Sequence, residues 1–149
     1  VISNNNKWKK YLKDPINYIE KKIEKLNKKN IQYQKKVIFC TLLLSSNNEI
    51  KKLNKRFRNK NESTDVLSFP FYNKKEFVNK IKKNKEIYLG DIIVNLNKIK
   101  SKKNLIRFKL EFDKLWIHGL VHLLGYDHKK NKDYVSMNNV EKKFLFLIK

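Results

Sequence analysis

The run His118-Gly119-Leu120-Val121-His122-Leu123-Leu124-Gly125-Tyr126-Asp127-His128 holds every histidine of the chain, and it restricts the fold more than any other stretch. A helix advances about 100° per residue, so His118 and His122 stand one above the other on a single face, as two ligands of one metal must. His128 would point roughly 80° off that face if the helix simply continued. The chain has to stop and return. Gly125 is placed for that, because glycine adopts the left-handed conformation that ends a helix and redirects the residues after it.

Three neutral imidazoles with no fourth protein ligand in the run form the pattern of a catalytic zinc that keeps a position open for water; a closed structural site takes four ligands. The simpler reading, ordinary core or surface histidines beside a helix C-terminus, suits one histidine better than three at this spacing. The run also aligns with the zinc-peptidase template H-E-x-x-H-x-x-G-x-x-H, in which the glutamate after the first histidine is the general base. Gly119 occupies that position here. Peptide cleavage is thereby disfavoured. A phosphodiester needs charge neutralisation more than a carboxylate base, and RNA carries its own potential nucleophile, the 2′-hydroxyl.

Along the rest of the chain, Asp14-Pro15 followed by Ile16, Ile19, Ile23 and Leu26 at helical spacing predicts an amphipathic helix to about Lys28. A polar stretch, Asn30 to Lys36, leads into the apolar run Val37 to Leu44, short and partly β-branched, which reads as a buried central strand; Val1-Ile2 could begin another. Ser46-Asn47-Asn48-Glu49 reads as a cap before a helix that buries Ile50, Leu53 and Phe57 and ends near Arg58. After the polar loop Asn59 to Asp65, Val66 to Phe71 alternates and contains Pro70, which cannot donate to a ladder, so this strand belongs at an edge. Tyr72 to Lys85 reads as an exposed basic excursion. Glu86 to Val94 is a further strand, in which Gly90 permits a bulge or close backbone approach.

Asn95 to Lys103 predicts a short helix, and a longer one runs from about Phe108 to Leu124, with Phe112 and Trp116 as core residues rather than base-stacking platforms. Asp133 to Ile148 closes the chain as a helix with Val135, Val140, Phe144 and Leu147 on its apolar face. The expected architecture is α+β: a small mixed sheet with an edge strand at the cleft, covered by about five helices, one carrying the first two histidines. At 149 residues the chain is expected to form one domain, spanning 1–149.

The formal net charge of +22 invites a polyanion partner, nucleic acid first. Of the 36 basic residues only Arg56, Arg58 and Arg107 are arginine, so a composition that uses lysine throughout, with the charge merely solvated, is the competing account. The single cysteine, Cys40, lies in the apolar run, where it is expected to pack as a small hydrophobe; no disulfide within the chain is possible, which suits a reducing cytoplasm. No apolar run approaches the roughly 20 residues of a membrane span and no hydrophobic signal core is present, so a soluble, cytoplasmic protein without membrane partners is expected.

The motif H-G-x-L-H-L-x-G-Y-D-H fits the run from His118 to His128, with Val121 where leucine is usual. Upstream, Leu53-Asn54-Lys55-Arg56-Phe57-Arg58 fits L-N-x-x-Y/F-R, and Thr64-Asp65-Val66-Leu67-Ser68-Phe69-Pro70 fits T-D/N-V-L-S-F-P, with Ser63 where proline is common; Leu89-Gly90-Asp91-Ile92 fits a G-D-I strand. In this order the segments resemble the YbeY family, bacterial zinc-dependent endoribonucleases linked to ribosomal RNA maturation. The resemblance implies His118, His122 and His128 as ligands of one Zn2+ ion and Arg58 as the functional arginine of the cleft. An arginine fork suits a phosphate, though a cation is favoured at a helix end in any case. Asp127 could orient an imidazole or tie down the turn; Asp65 and Asp91 read as capping or turn residues, and Ser68 could line the cleft.

The leading expectation is a single-strand-specific metallo-endoribonuclease acting in rRNA maturation and ribosome quality control, with metal-activated water and Arg58 sharing the charge of the phosphate. Its partners would be single-stranded RNA, rRNA above all, and the ribosomal small subunit or its assembly factors. The alternative is a non-catalytic RNA-binding assembly factor with a structural metal. A zinc peptidase is the least favoured.

Overall fold

Asparagine and aspartate side chains start most of the helices in the computed structural model of the chain, which describes residues 2–3, 6–29, 36–128 and 131–149. Asp14 accepts from the N–H of Asn17 at 3.0 Å and opens α1 (Pro15–Lys29), with proline at its first position, where no N–H is needed. α2 (Asn47–Arg58) ends on Asn59, whose φ of 56° is left-handed. Asn73 and Glu76 form a capping box at α3 (Lys74–Lys83), and Asn104 accepts from the N–H of Arg107 ahead of α4 (Leu105–Leu123). α5 (Asn131–Leu147) closes the chain. None of these helices is long and apolar enough, among the described residues, to cross a membrane.

Four strands, β1 (Ile2–Ser3), β2 (Val37–Ser45), β3 (Val66–Pro70) and β4 (Glu86–Asn95), pair in the order β1-β2-β4-β3. β1 with β2 and β2 with β4 are parallel, while β3 runs antiparallel on β4. The sheet is therefore mixed, with the proline-containing strand at its edge, as the sequence predicts. Gly90 (φ 129°) sits opposite Pro70, and a side chain there would place its first carbon 2.1 Å from the Phe69 carbonyl oxygen. The register between β2 and β4 slips at this point, from Phe39 with Tyr88 to Thr41 with Asp91, so β4 bulges where the glycine lets β3 come close.

α1, α4 and α5 cover one face of the sheet, and α2 covers part of the other. On the first face Leu42, Leu44, Leu89, Ile92 and Val94 pack with Phe108, Phe112, Trp116 and Ile117 of α4, so Phe112 and Trp116 are core residues. Cys40 packs against this core, and burial pushes its thiol up to about 11, where it stays protonated. On the second face Ile50, Leu67 and Ile93 make a smaller cluster under α2. Gly119 marks the closest approach of α4 to the sheet: a side chain there would meet Ile92 Cγ2 at 2.6 Å.

Several expectations are corrected. Tyr72 to Lys85 is largely exposed, as expected, but it also contains a helix, α3, which the capping box starts and which buries Phe77, an apolar anchor masked in sequence by surrounding lysines. The helix expected over Asn95 to Lys103 is only a 3-10 turn, Leu96–Lys98, because the buried Asn95 side chain is taken by the N–H of Asn97, by Asn47, by Ser63 and by the Thr64 carbonyl. Phe57 is 59% exposed and Val135 56%; α5 turns Phe144 inward as expected, and with it Met137 rather than Val135. β2 is central, but Val37 and Phe39 face outward, exposed, so it is buried on one side only over its first half. Val1, and all but Lys36 of the polar stretch Asn30 to Lys36, lie outside the described residues.

A buried carboxylate that sequence reasoning did not single out ties α1 to α4. Asp113 accepts from the Tyr18 hydroxyl at 3.0 Å and from Trp116 Nε1 at 2.9 Å, and pairs with Lys22 Nζ at 3.1 Å. Burial, and then the Asp113 charge, push the Tyr18 phenol well above its ordinary value, so it remains a donor. Removing one partner of such a pair strands the others away from water. Asp113→Ala is expected to lower the unfolding free energy by about 3 kcal/mol, measured by urea denaturation followed by circular dichroism.

Candidate metal centre

The last two turns of α4 carry His118 and His122, and the helix stops as the glycine predicts. Gly125 has a φ of 86°, its N–H donates to the His122 carbonyl at 2.9 Å, and the N–H of Tyr126 reaches the Val121 carbonyl at 3.3 Å. The same glycine admits the start of α3, since a side chain at 125 would lie 3.1 Å from Lys74 Cα. The returning segment brings the His128 ring to centroid distances of 5.8 Å from His118 and 5.1 Å from His122. Asp127 Oδ1 accepts from the His128 N–H at 2.8 Å, the turn-tying one of its two expected roles.

One potential ligand atom from each histidine lies within 4.8 Å of the others, and no fourth histidine, cysteine or carboxylate joins this group among the described residues. His118 Nε2 and His122 Nε2 are 3.2 Å apart. Two nitrogens bound tetrahedrally at about 2.0–2.1 Å from one zinc ion stand about 3.3 Å apart, so the pair fits a shared ion. The opposite ring atoms are committed elsewhere: His118 Nδ1 meets Glu141 Oε1 at 2.7 Å, and His122 Nδ1 meets the Tyr126 carbonyl at 2.9 Å. Both partners are acceptors, which places the proton of each neutral ring on Nδ1 and leaves the Nε2 lone pair for a cation. Burial, followed by the neighbouring His118, pushes the pKa of His122 below its ordinary value, while the Tyr126 carbonyl opposes this. The neutral form, the one that binds metal, is thereby favoured.

Glu141 was not anticipated. It stands on α5, and its role arises only when α5 packs beside α4; no local pattern in the sequence points to it. With Asp65, Lys114, Asn138 and Lys142 it lines a cleft of about 470 Å³ beside His118. Gly119 takes a different meaning from an absent base, since its missing side chain is the space that Ile92 occupies. A glutamate could be housed there only by displacing Ile92 or α4.

The structure brings the three histidines together, and Arg58 is the last residue of α2. Arg58 Nη2 donates to the Ser68 carbonyl at 3.2 Å and its guanidinium lies 5.8 Å from the centre of the Phe69 ring. Ser68 itself is buried and meets Arg58 through its backbone. Asp65 Oδ1 accepts from the Val66 N–H and the Thr64 hydroxyl, the turn contact expected of it, whereas Asp91 lies within β4 beside the bulge and accepts from the Tyr88 hydroxyl, neither a cap nor a turn.

A mixed sheet crossed by a helix with two histidines one turn apart, and a tight return supplying a third, defines an α+β protein with an open three-histidine site. A family model described as Endoribonuclease YbeY matches residues 2–149. The chain is 44% identical over 139 residues to a protein of Pelagibacter ubique named Endoribonuclease YbeY, covering 92% of this chain and 86% of that one. A protein of the same name from Buchnera aphidicola is 37% identical over 134 residues, covering 86% and 77%. The solution structure of TM1509 from Thermotoga maritima aligns with a TM-score of 0.60 and 30% identity, over 98% of this chain and 86% of that one. The chain belongs to the YbeY family.

Two outcomes follow from the hydrogen bonds to the ring nitrogens. Glu141→Ala should weaken zinc affinity by about 10- to 100-fold in competition titrations, with Glu141→Gln, which keeps an acceptor oxygen, nearer to wild type. In chelator-treated protein, an unfolded chain whose His122 titrates near 6.5 binds more protons than the folded one, so stability rises with pH. The His122 contribution is complete above that value and is lost as pH falls through the lowered folded pKa. Denaturation midpoints between about pH 7 and pH 5 should therefore fall more steeply for wild type than for His122→Asn.

Proposed function

We propose that this chain is a metal-dependent endoribonuclease that cuts single-stranded RNA. Its role would lie in maturation of the 3′ end of the small-subunit rRNA and in ribosome quality control, in the cytoplasm, with the small subunit or its assembly factors as partners. The observation that carries the reading is the convergence of three imidazoles, two with Nδ1 held by acceptors, in a chain whose relatives bear the name Endoribonuclease YbeY. The reading treats residues 1–149 as one domain.

His118, His122 and His128 would hold one zinc ion. When bound, the ion supplies Lewis acidity towards a phosphoryl oxygen and lowers the pKa of a coordinated water to about 7. Glu141 and the Tyr126 carbonyl keep the protons of His118 and His122 on Nδ1, so the binding face of each ring is not lost to tautomer exchange. One of the N–H groups of Arg58 is spent on the Ser68 carbonyl, which steadies the fork at the rim of β3 and leaves other donors for a phosphate. The free edge of β3 adds backbone groups against which an extended strand can lie.

Cleavage of a labelled single-stranded RNA, with and without chelator, tests the reading. Wild type loaded with zinc should cleave; chelated protein and His118→Ala should not, and activity that persists in His118→Ala would overturn it. Metal analysis of untagged protein should find about one equivalent of zinc, lost in His122→Ala. Arg58→Ala should retain the metal yet cut at least 10-fold more slowly.

A further inference from the structure

We infer that the part of the outer sheet face left open by α2 is a stacking platform for the bases of single-stranded RNA, made by Phe39, Tyr88 and Phe71 and bordered by Arg56 and Arg58. This rests on the RNA reading above and adds to it a surface on the sheet face opposite the main core.

The three rings come from three adjacent strands or their ends. Phe39 of β2 pairs in register with Tyr88 of β4, with ring centroids 5.4 Å apart, and Phe71, one residue past β3, lies 5.9 Å from Tyr88 on its far side. They form a row across the sheet. Alternation along β2 puts Phe39 on the side opposite the main core, to which Ile38, Cys40 and Leu42 turn. Phe39 is 50% exposed and Phe71 65%. The rings meet at 45° and 66° rather than stacking on each other, so they do not bury their faces in a mutual stack. The row is also held in place: the Tyr88 hydroxyl is fixed by Thr41 at 2.9 Å and by Asp91.

Charge selects the occupant. The chain uses lysine almost throughout, yet two of its three arginines border this face. Arg56 lies over Phe57 at 5.3 Å, Phe57 packs on Phe69 at 5.3 Å, and Arg58 lies over Phe69 at 5.8 Å. Phe69 precedes Phe71 by two residues on the same strand side. A guanidinium beside a ring offers both a phosphate contact and a second planar surface for a base, which an ammonium does not. Exposed aromatics in a row, with arginines alongside and a net charge of +22, match a flexible polyanion that carries its own rings: a single strand whose bases are free to turn out. A duplex keeps its bases stacked inside and cannot use them.

The test is binding of full-length, chelator-treated protein to a labelled single-stranded oligouridine of about 12 nucleotides and to a duplex of equal length, by fluorescence anisotropy. Phe39→Ala and Phe71→Ala should each weaken single-strand binding about tenfold, leave duplex binding unchanged, and leave the slope of log Kd against log salt unchanged, because stacking releases no counterions. Phe39→Trp and Phe71→Trp should bind as wild type or tighter, which separates the platform from a folding defect. Alanine variants that bind the single strand as wild type does, or that lose single strand and duplex equally, overturn the platform while RNA cleavage by wild type leaves the endonuclease reading standing. Wild type that binds no single-stranded RNA sinks both. Unchanged RNA binding with loss of self-association in sedimentation would give the face to a second copy of the chain, and would likewise overturn the proposal.

Discussion

α4 can lie on the sheet only because position 119 carries no side chain, and the rest of the site depends on that contact. With Ile92 in the space a Cβ would need, Gly119 fixes both the height of α4 above β4 and its rotation about its own axis. His118 is one residue, about 100°, away from this contact line, so its ring projects beside the sheet. There it meets Glu141 of α5, and His122, one turn on, meets the returning chain. A methyl group at 119 would lift the helix and disturb each of those contacts together, since close-packed interiors pass displacement on rather than absorb it.

Local chemistry made much of this legible. The spacing of His118, His122 and His128, the helix stop at Gly125, the proline edge at β3 and the bulge at Gly90 could each be read from residue types whose conformational reach is narrow. What escaped was of two kinds. Some of it depended on partners distant in sequence: Glu141 on His118, Asp113 on Tyr18 and Lys22, Ile92 on Gly119. The rest was concealed by composition. In a stretch as rich in lysine as 74–85, one buried phenylalanine and an asparagine–glutamate cap suffice to make a helix, and an apolar run such as Val37 to Leu44 does not say that only one of its faces will be covered. Gly119 stands where the peptidase template has its base, and the structure adds a packing reason for the glycine that no template carries.

The two faces of the sheet divide the labour. Towards α1, α4 and α5 lies the large core, with a buried carboxylate gathering tyrosine, tryptophan and lysine, and the histidines stand at its margin. Towards α2 the core is small, and beyond it lie the rings of Phe39, Tyr88 and Phe71 with Arg56 and Arg58 alongside. β3 is the boundary, a strand of five residues that touches both sides and whose outer edge has no strand beside it among the described residues. Its short length and its proline also limit edge-to-edge pairing between copies of the chain, a hazard for an exposed strand.

The acceptor that sets the His118 tautomer stands on the last helix, 23 residues beyond the histidine it serves. During synthesis all three histidines are therefore made before Glu141. A nascent chain that has produced α4 and its return turn holds the ligands but lacks the group that fixes the proton on one of them, and α5 must emerge and dock before the ring is locked. Maturation of the centre is thus coupled to completion of the fold, and a chain cut short before α5 would present histidines without a fully organised site.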